Sequence, residues 1–284
     1  MLKTSRRDFL KRTGRGAAAA ALVPGVATSL LSSRTKDTEQ KGERLRLGMA
    51  SYTFREFGLE ETLLMTQRLG LTRIAFKSFH LPLESTLAQI RDVASRVKVA
   101  GLDLYGGGVI YMKDRSEVER AFEYARAAGM RIIIGVPNPE LIPLVEEKIK
   151  LTNIKVAIHN HGPGDDVYPT PQSAYDRILG LDARFGLCVD VGHTQRAGVE
   201  PAGSIRKLAD RVLDVHIKDV SAASAEGGTI EIGRGVIDIP EVCRALLEIK
   251  FTGAVSFEFE KDGKDPLAGV AESVGYIRGV LAAL

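Results

Sequence analysis

Residues 115–136 read RSEVERAFEYARAAGMRIIIGV, and this stretch contains one complete helix-to-strand transition. Apolar residues recur at helical spacing over Arg115–Ala128, Gly129 supplies the left-handed residue that ends a helix, and a short apolar run begins near Met130. An amphipathic helix that leads directly into a largely apolar strand is typical of a parallel sheet covered by helices. We therefore predict an α/β fold.

The same unit recurs along the chain after Arg44. Strand-like runs begin near Leu45, Arg73, Leu102, Met130, Lys155, Phe185, Val212 and Ala254. Eight strand–helix units at near-constant spacing predict a single (β/α)8 TIM barrel over residues 45–284. The doubly wound sheet is the main rival fold, but residues 51–55, after the first strand, lack its glycine-rich phosphate turn.

Glycine and proline positions support the same helix boundaries. Further helical patterns cover Leu59–Leu69, Thr86–Ala100 and Pro240–Lys250. Gly70 and Gly101 follow two of the helices, where a left-handed residue ends a helix at little cost. Prolines stand near first-turn positions, where a missing N–H costs nothing, at Pro139, Pro171, Pro201, Pro240 and Pro266.

The first 31 residues differ from the rest of the chain in charge. They hold six basic residues and one acidic residue, with paired arginines in Ser5–Lys11 and an apolar stretch of small residues over Ala17–Leu31. This organisation predicts a secretory leader over residues 1–31, with residues 32–44 as a linker. The leader resembles a twin-arginine signal, which implies export of the folded protein to the periplasm by the twin-arginine machinery.

The apolar stretch of the leader is shorter than the ~20 residues that span a bilayer, so we expect no stable membrane span after leader removal. A retained leader that anchors the protein is the alternative. The whole chain has a formal net charge of +3, but the leader carries a net charge of +5, so the remaining chain is slightly acidic. An acidic body argues against nucleic acid as a partner. The two cysteines, Cys188 and Cys243, have no metal-binding spacing and are predicted to be core residues.

All five histidines lie at or just after predicted strand ends, where TIM barrels carry their chemistry. Asp190, His216 and Glu258 end three successive strands, so their tips should meet around one point. His159 provides a fourth side, although His161 lies on the same strand face and competes for that position. Two imidazoles and two carboxylates without a thiolate suit a divalent metal, for which we favour Mn²⁺ over Zn²⁺, Co²⁺, Fe²⁺ or Mg²⁺.

Four segments together resemble the xylose isomerase-like barrel superfamily, in its sugar phosphate isomerase/epimerase branch. They are residues 156–162 (VAIHNHG), 188–193 (CVDVGH), 215–219 (VHIKD) and 255–258 (VSFE). The resemblance covers about residues 45–281 and implies that Asp190, His216 and Glu258 bind the metal. The ketose 3-epimerases have a glutamate where this chain has His159, which weakens a two-glutamate epimerase assignment.

Other polar residues near strand ends are candidate substrate contacts. The resemblance implies a contact of His193 with the substrate or with a further metal, of which we favour the substrate. Lys77, His80 and His161 stand where sugar hydroxyl groups would bind. We predict that Lys218 is an acid/base near neutral pH, because a neighbouring cation disfavours its ammonium form, although an ion pair with Asp190 or Asp219 is the structural alternative. The glycine-rich segment Ser221–Gly235 is predicted to be a mobile lid, on which Arg234 would bind an anionic group.

The predicted chemistry is proton abstraction next to a carbonyl through an enediolate, as in a sugar isomerase or epimerase acting on a free or oxidised sugar. Glu258, Lys218 and His193 are the candidate catalytic residues. A lyase or dehydratase acting on 3-oxo-sugars or glycosides by β-elimination would pass through the same intermediate. A non-enzymatic, exported carbohydrate-binding barrel is a further alternative, and an apurinic-site endonuclease is disfavoured because the third strand offers Tyr105 and glycines rather than histidine.

Overall fold

Eight parallel strands close into a barrel in residues 43–284, the part of the chain that the computed structural model describes. The strands are β1 (Arg46–Ala50), β2 (Arg73–Phe76), β3 (Asp103–Met112), β4 (Ile132–Pro137), β5 (Lys155–His159), β6 (Phe185–Asp190), β7 (Val212–Ile217) and β10 (Ala254–Phe257). They follow one another in chain order, and β1 pairs with β10 to close the barrel. The predicted TIM barrel is therefore confirmed.

Helices cover the outside of this barrel. The described residues form α1 (Leu59–Arg68), α2 (Leu87–Val99), α3 (Arg115–Ala128), α4 (Ile142–Thr152), α5 (Pro171–Ile178), α6 (Val191–Arg196), α7 (Pro201–Lys207), α8 (Ile239–Glu248) and α9 (Leu267–Ala283). Two 3₁₀ turns occupy Ser51–Phe54 and Pro139–Leu141. The predicted leader and residues 32–42 of the predicted linker lie outside the described residues.

Helix α3 shows how the local sequence fixes these boundaries. The helix begins after Asp114, whose carboxylate accepts a hydrogen bond from the backbone N–H of Glu117 at 3.0 Å and so caps a free donor. It ends at Gly129, whose φ of 70° is the left-handed conformation that the sequence predicts there. Gly70 and Gly101 adopt the same conformation after α1 and α2.

Strand register places the candidate ligands near one another at the carboxyl ends of neighbouring strands. Asp190 at the end of β6 pairs with His216 of β7, and His159 at the end of β5 pairs with Cys188 of β6. Glu258 directly follows β10, and its backbone N–H donates to the carbonyl of Ile217. Parallel pairing thus brings four separate segments of sequence together at the carboxyl ends of their strands.

The long connection after β7 is partly ordered by its own hydrogen bonds. Its strands β8 (Asp219–Val220) and β9 (Thr229–Ile230) form an antiparallel hairpin. The buried carboxylate of Asp219 accepts hydrogen bonds from the backbone N–H groups of Gly233 at 2.9 Å and Gly235 at 3.0 Å. The mobility predicted for Ser221–Gly235 stays a prediction. The hydrogen bonds to Asp219 fix the end of this segment at Gly233 and Gly235.

The apolar core contains both cysteines. Cys188 and Cys243 are buried and unpaired, as predicted. Among residues 43–284, no helix combines the length and the apolar content that a membrane span requires.

Candidate metal centre

Four buried side chains from four strand ends converge at the mouth of the barrel. His159, Asp190, His216 and Glu258 each place one ligand-type atom within 4.8 Å of the others. Their exposed fractions are 1%, 0%, 1% and 6%, respectively. The cluster contains His159 and not His161, which the sequence had left as competing alternatives.

Short contacts link the two histidines with each other and with the carboxylates. His159 Nε2 lies 3.2 Å from His216 Nδ1 and 3.4 Å from Asp190 Oδ2. His216 Nδ1 is also 3.2 Å from Glu258 Oε2. Two imidazole nitrogens and two carboxylate oxygens therefore face one small volume.

This donor set fits a divalent cation. Asp190 Oδ2 is buried and makes no hydrogen bond of acceptable geometry among the described residues, although Lys218 Nζ lies 3.0 Å away as an ion-pair partner. Nitrogen and oxygen donors without a thiolate suit Mn²⁺, Zn²⁺, Co²⁺ or Fe²⁺. A second group, His159, Cys188 and His216, also brings its ligand atoms within 4.8 Å and would add a soft sulfur donor.

The protonation states favour metal binding at His159 and at the two carboxylates. Burial lowers the pKa of His159 to about 3, so its imidazole is neutral at pH 7. Burial raises the pKa values of Asp190 and Glu258, but the Lys218 ammonium and the neighbouring histidines together outweigh it and hold both pKa values below their usual range. Two ionised carboxylates and a neutral imidazole are the forms that bind metals.

Lys218 lies inside this cluster rather than beside it. Its Nζ is 3.0 Å from Asp190 Oδ2 and 2.7 Å from Glu258 Oε2, and it also contacts Glu260 Oε1. Burial lowers the pKa of Lys218, but the three carboxylates outweigh burial and raise it well above the usual value. Without a cation the ammonium is therefore favoured, because it is surrounded by negative charge, and the near-neutral pKa expected beside a bound metal stays a prediction. The alternative ion pair with Asp190 is present, whereas Asp219 is occupied by backbone N–H groups.

His161 and His193 line the mouth above His159. Their ring centroids are 5.8 Å apart, and both lie within 6 Å of the His159 ring. The Tyr111 hydroxyl is 3.1 Å from His161 Nε2, and Asp165 Oδ2 is 3.2 Å from His161 Nδ1. These two histidines are placed to meet a substrate, and their predicted contacts with it remain predictions.

Backbone hydrogen bonds and close packing hold this wall in place. The backbone N–H of His193 donates to Asp190 Oδ1 at 2.7 Å, so the first turn of α6 is tied to the cluster. Gly162 has a φ of 76°, and a Cβ there would meet the carbonyl oxygen of His193 at 2.8 Å. A Cβ at Gly192 would come within 2.5 Å of the Lys218 side chain. Both glycines therefore leave the space that the site requires.

Lys77 and His80, two other predicted substrate contacts, have different surroundings. Lys77 Nζ donates to the carbonyl of Val109 at 2.7 Å and lies 5.6 Å from the centroid of the Tyr111 ring, so it reaches the mouth. His80 is buried, with Nδ1 2.9 Å from Ser51 Oγ and Nε2 2.9 Å from Thr62 Oγ1. Both ring nitrogens of His80 are satisfied by the protein, which argues against substrate contact.

Arg234 is occupied by a surface carboxylate. Its guanidinium forms two contacts with Glu272 of α9, at 2.5 and 2.7 Å, and its side chain is largely exposed. This ion pair does not support the prediction that Arg234 binds an anionic group of the substrate.

Sequence reasoning missed several residues of the site. Tyr111, Asp165 and Arg196 belong to segments that carry no recognisable motif. Arg196 Nη1 is 3.3 Å from His193 Nδ1, and its Nη2 donates to the carbonyl of Ala225 on the long connection. Asp214 could have been found, because it precedes His216 by two residues and therefore shares its strand face.

The described fold is a TIM barrel with a candidate metal centre at the carboxyl ends of its strands. Residues 110–280 match the family described as the xylose isomerase-like TIM barrel. The chain therefore belongs to the xylose isomerase-like TIM barrel family. This membership confirms the family expected from the four sequence segments.

Two curated relatives share parts of this chain. An inosose dehydratase of Clostridium beijerinckii is 26% identical over 136 residues, which are 42% of this chain and 43% of the relative. An uncharacterised protein of Methanocaldococcus jannaschii is 32% identical over 93 residues, 31% of each chain. The matched region thus spans less than half the length of either relative.

Two solved structures resemble the whole barrel. The zinc-bound IolI protein has a TM-score of 0.69 and 18% identity, covering 84% of this chain and 97% of that chain. An L-ribulose 3-epimerase has a TM-score of 0.67 and 19% identity, covering 84% of this chain and 95% of that one. At these identities the likeness establishes the fold.

Proposed function

We propose that this protein is a divalent-metal-dependent sugar isomerase or epimerase that removes a proton next to a carbonyl group. The buried cluster of His159, Asp190, His216 and Glu258 at the strand ends carries the proposal. Family membership and the likeness to an L-ribulose 3-epimerase support it. Mn²⁺ is the first candidate metal, and zinc in the IolI protein makes Zn²⁺ the second.

The four clustered residues would hold the metal. A bound divalent cation supplies Lewis-acid polarisation of a carbonyl oxygen, which makes the neighbouring C–H more acidic. The neutral imidazole of His159 and the ionised carboxylates of Asp190 and Glu258 suit this role.

Glu258 is the proposed base, because its carboxylate is ionised and it follows β10 at the carboxyl end of the barrel. Lys218 would act in its ammonium form, as a hydrogen-bond donor that stabilises negative charge on the substrate oxygen. His193, whose Nδ1 contacts Arg196 Nη1, is the candidate for returning the proton. Return to the same carbon would give epimerisation, and return to its neighbour would give isomerisation.

A sugar dehydratase is the second candidate function. The similarity to an inosose dehydratase favours it, and β-elimination begins with the same proton abstraction. In that case His193 would protonate a departing hydroxyl group instead of a carbon. The candidate site serves either outcome because the first step is shared.

Export by the twin-arginine pathway to the periplasm is part of the proposal. The paired arginines and the apolar stretch of residues 1–31 motivate it, with the barrel domain beginning at residue 45. A free or oxidised sugar is the proposed substrate, since sugar phosphates belong mainly to the cytoplasm. Cell fractionation of the full chain and of an Arg6→Lys, Arg7→Lys variant tests this point, and equal periplasmic amounts of both would contradict it.

The reaction is tested by solvent deuterium exchange. Metal-loaded protein is incubated in D₂O with ketoses, 3-oxo-sugars and their glycosides, and deuterium uptake and products are followed by NMR and mass spectrometry. We expect metal-dependent uptake that Asp190→Asn and Glu258→Gln abolish. The matched control is Asp103→Asn. Asp103 is the first residue of β3, at the end of the strand opposite the mouth, and its carboxylate pairs with Arg131. Uptake that persists in both site variants would refute the proposal.

A further inference from the structure

A second buried polar layer lies next to the candidate ligands. Asp214 on β7 is 1% exposed and shares the strand face of His216. Its Oδ1 is 3.5 Å from the Cys188 thiol, and its Oδ2 has no hydrogen-bond partner among the described residues. The nearby Tyr105 hydroxyl is 2.6 Å from Ser256 Oγ. A carboxylate in such surroundings is poorly stabilised by its neutral neighbours.

His216 is oriented so that its two ring nitrogens face different groups. Nδ1 faces the cluster, at 3.2 Å from both His159 Nε2 and Glu258 Oε2. Nε2 is buried without a hydrogen-bond partner and lies 4.0 Å from Asp214 Oδ1. A neutral imidazole that offers a lone pair at one nitrogen carries its proton on the other nitrogen. A metal-binding Nδ1 therefore requires an N–H at Nε2, on the side of Asp214.

We propose that Asp214 is a positioning residue that accepts a hydrogen bond from His216 Nε2–H and so holds the Nδ1 lone pair toward the metal. This inference rests on the metal-dependent function proposed above. The 4.0 Å separation exceeds a hydrogen bond, so the two groups must approach by about 1 Å when the metal binds. The approach would give the buried Nε2 of His216 a hydrogen-bond partner, and it would give the Asp214 carboxylate, whose Oδ1 meets only the weak thiol donor of Cys188, a stronger donor.

Cobalt binding tests the inference without requiring a substrate. Co²⁺ is titrated into metal-free protein, with calorimetry reporting the Kd and visible absorption reporting the ligand geometry. We expect Asp214→Ala to raise the Kd by about 10- to 100-fold and to change the absorption bands, as loss of the carboxylate that orients a histidine ligand does. Asp214→Asn, which keeps an acceptor oxygen, should lie between Asp214→Ala and the parent.

Ser256→Ala is the matched control, because it removes from the same buried layer a hydroxyl that hydrogen-bonds to Tyr105. Its Kd and spectrum should equal those of the parent. The inference is overturned if Asp214→Ala and Asp214→Asn bind Co²⁺ within about twofold of the parent with an unchanged spectrum; the Asn variant alone decides if the Ala variant does not fold.

Asp190→Ala separates this inference from the proposed function. If Asp190→Ala loses Co²⁺ while the Asp214 variants bind normally, the metal site stands and only the role of Asp214 fails. If the parent binds no Co²⁺, Mn²⁺ or Zn²⁺, the metal-dependent function and the role of Asp214 both fail.

Discussion

The two halves of the barrel use similar residues at their strand ends in opposite ways. On the β5–β10 side, His159 and His216 each keep a buried ring nitrogen without a hydrogen-bond partner in the described structure. On the β1–β2 side, His80 is equally buried but has both nitrogens occupied, by Ser51 and Thr62. Position at a strand end is therefore a poor criterion for a metal ligand. What separates the ligand candidates from the structural histidine is their surroundings: His159 Nε2 and His216 Nδ1 face carboxylates, whereas both ring nitrogens of His80 face hydroxyl groups.

Two lysines show the same contrast. Lys77, after β2, has a backbone carbonyl as its hydrogen-bond partner, and burial lowers its pKa. Lys218, after β7, contacts three carboxylates, which together outweigh burial and raise its pKa. One half of the mouth thus offers a lysine with little surrounding charge, while the other half is a dense ionic cluster.

The lysine contrast predicts the largest effect on stability. Lys218→Met should lower the unfolding free energy of the metal-free protein by about 3–5 kcal/mol, because it leaves buried carboxylates without their cation. Lys77→Met should cost no more than about 1.5 kcal/mol, the value of one hydrogen bond. Urea unfolding in the presence of a chelator measures both. Equal losses of unfolding free energy in Lys218→Met and Lys77→Met would contradict the proposed difference between the two halves of the barrel.

The histidine contrast can be tested by a pair of alanine variants. His159→Ala should weaken metal binding by more than about 100-fold, because even loss of a ligand's supporting partner costs 10- to 100-fold. His80→Ala should leave the metal Kd unchanged but lower the unfolding free energy by about 1–3 kcal/mol, since Ser51 and Thr62 lose a buried partner. Calorimetry and urea unfolding of both variants check this. Weakened metal binding in His80→Ala would contradict our interpretation.

The ionic cluster also predicts a dependence of stability on pH. The pKa values of Asp190 and Glu258 are depressed in the folded protein, so their contribution is complete above the unfolded pKa values and is lost as the pH falls. The unfolding free energy of metal-free protein should therefore decrease from about pH 5 downward. Lys218→Met should flatten this slope, because it removes the main cause of the depression. An unchanged slope would show that other carboxylates dominate.

The smallest expected effect concerns the connection after β7. Arg196→Lys removes the guanidinium group, whose two terminal nitrogens contact His193 Nδ1 and the carbonyl of Ala225. Amide hydrogen exchange in residues 221–228 should accelerate by about 2- to 12-fold, as expected for one hydrogen bond of about 0.5–1.5 kcal/mol. Arg234→Lys is the control, because Arg234 pairs with Glu272 on the surface. Equal acceleration in both variants would deny Arg196 a special role.

Local sequence patterns predicted the strands and helices closely. The strand starts at Arg73, Lys155, Phe185, Val212 and Ala254 are the predicted ones, and α3 has the predicted bounds. Such success is expected where hydrophobic period, caps and glycine agree, because each acts within one or two helical turns. The ligand cluster was also predictable, since strand ends of a parallel barrel meet at one edge.

Contacts between distant segments were not predictable in this way. The partners of His80 come from residues 51 and 62, and those of Lys218 include Glu260, so the role of each group depends on what the fold brings beside it. The high pKa of Lys218 in the metal-free arrangement arises in this way. A side chain's charge state depends on its summed surroundings, which strand alternation alone does not specify.

The amino-acid sequence specified the barrel, its strand ends and the four converging ligand candidates, because these follow from short-range periodicity and from the geometry of a parallel sheet. The closed fold distinguished His159 from His161, assigned His80 to the protein interior and surrounded Lys218 with carboxylates. Those outcomes depend on distances of a few ångströms between residues that are 18 to 57 positions apart in the chain. Electrostatic and hydrogen-bond energies change steeply over such distances, which is why packing determined the chemistry of the site.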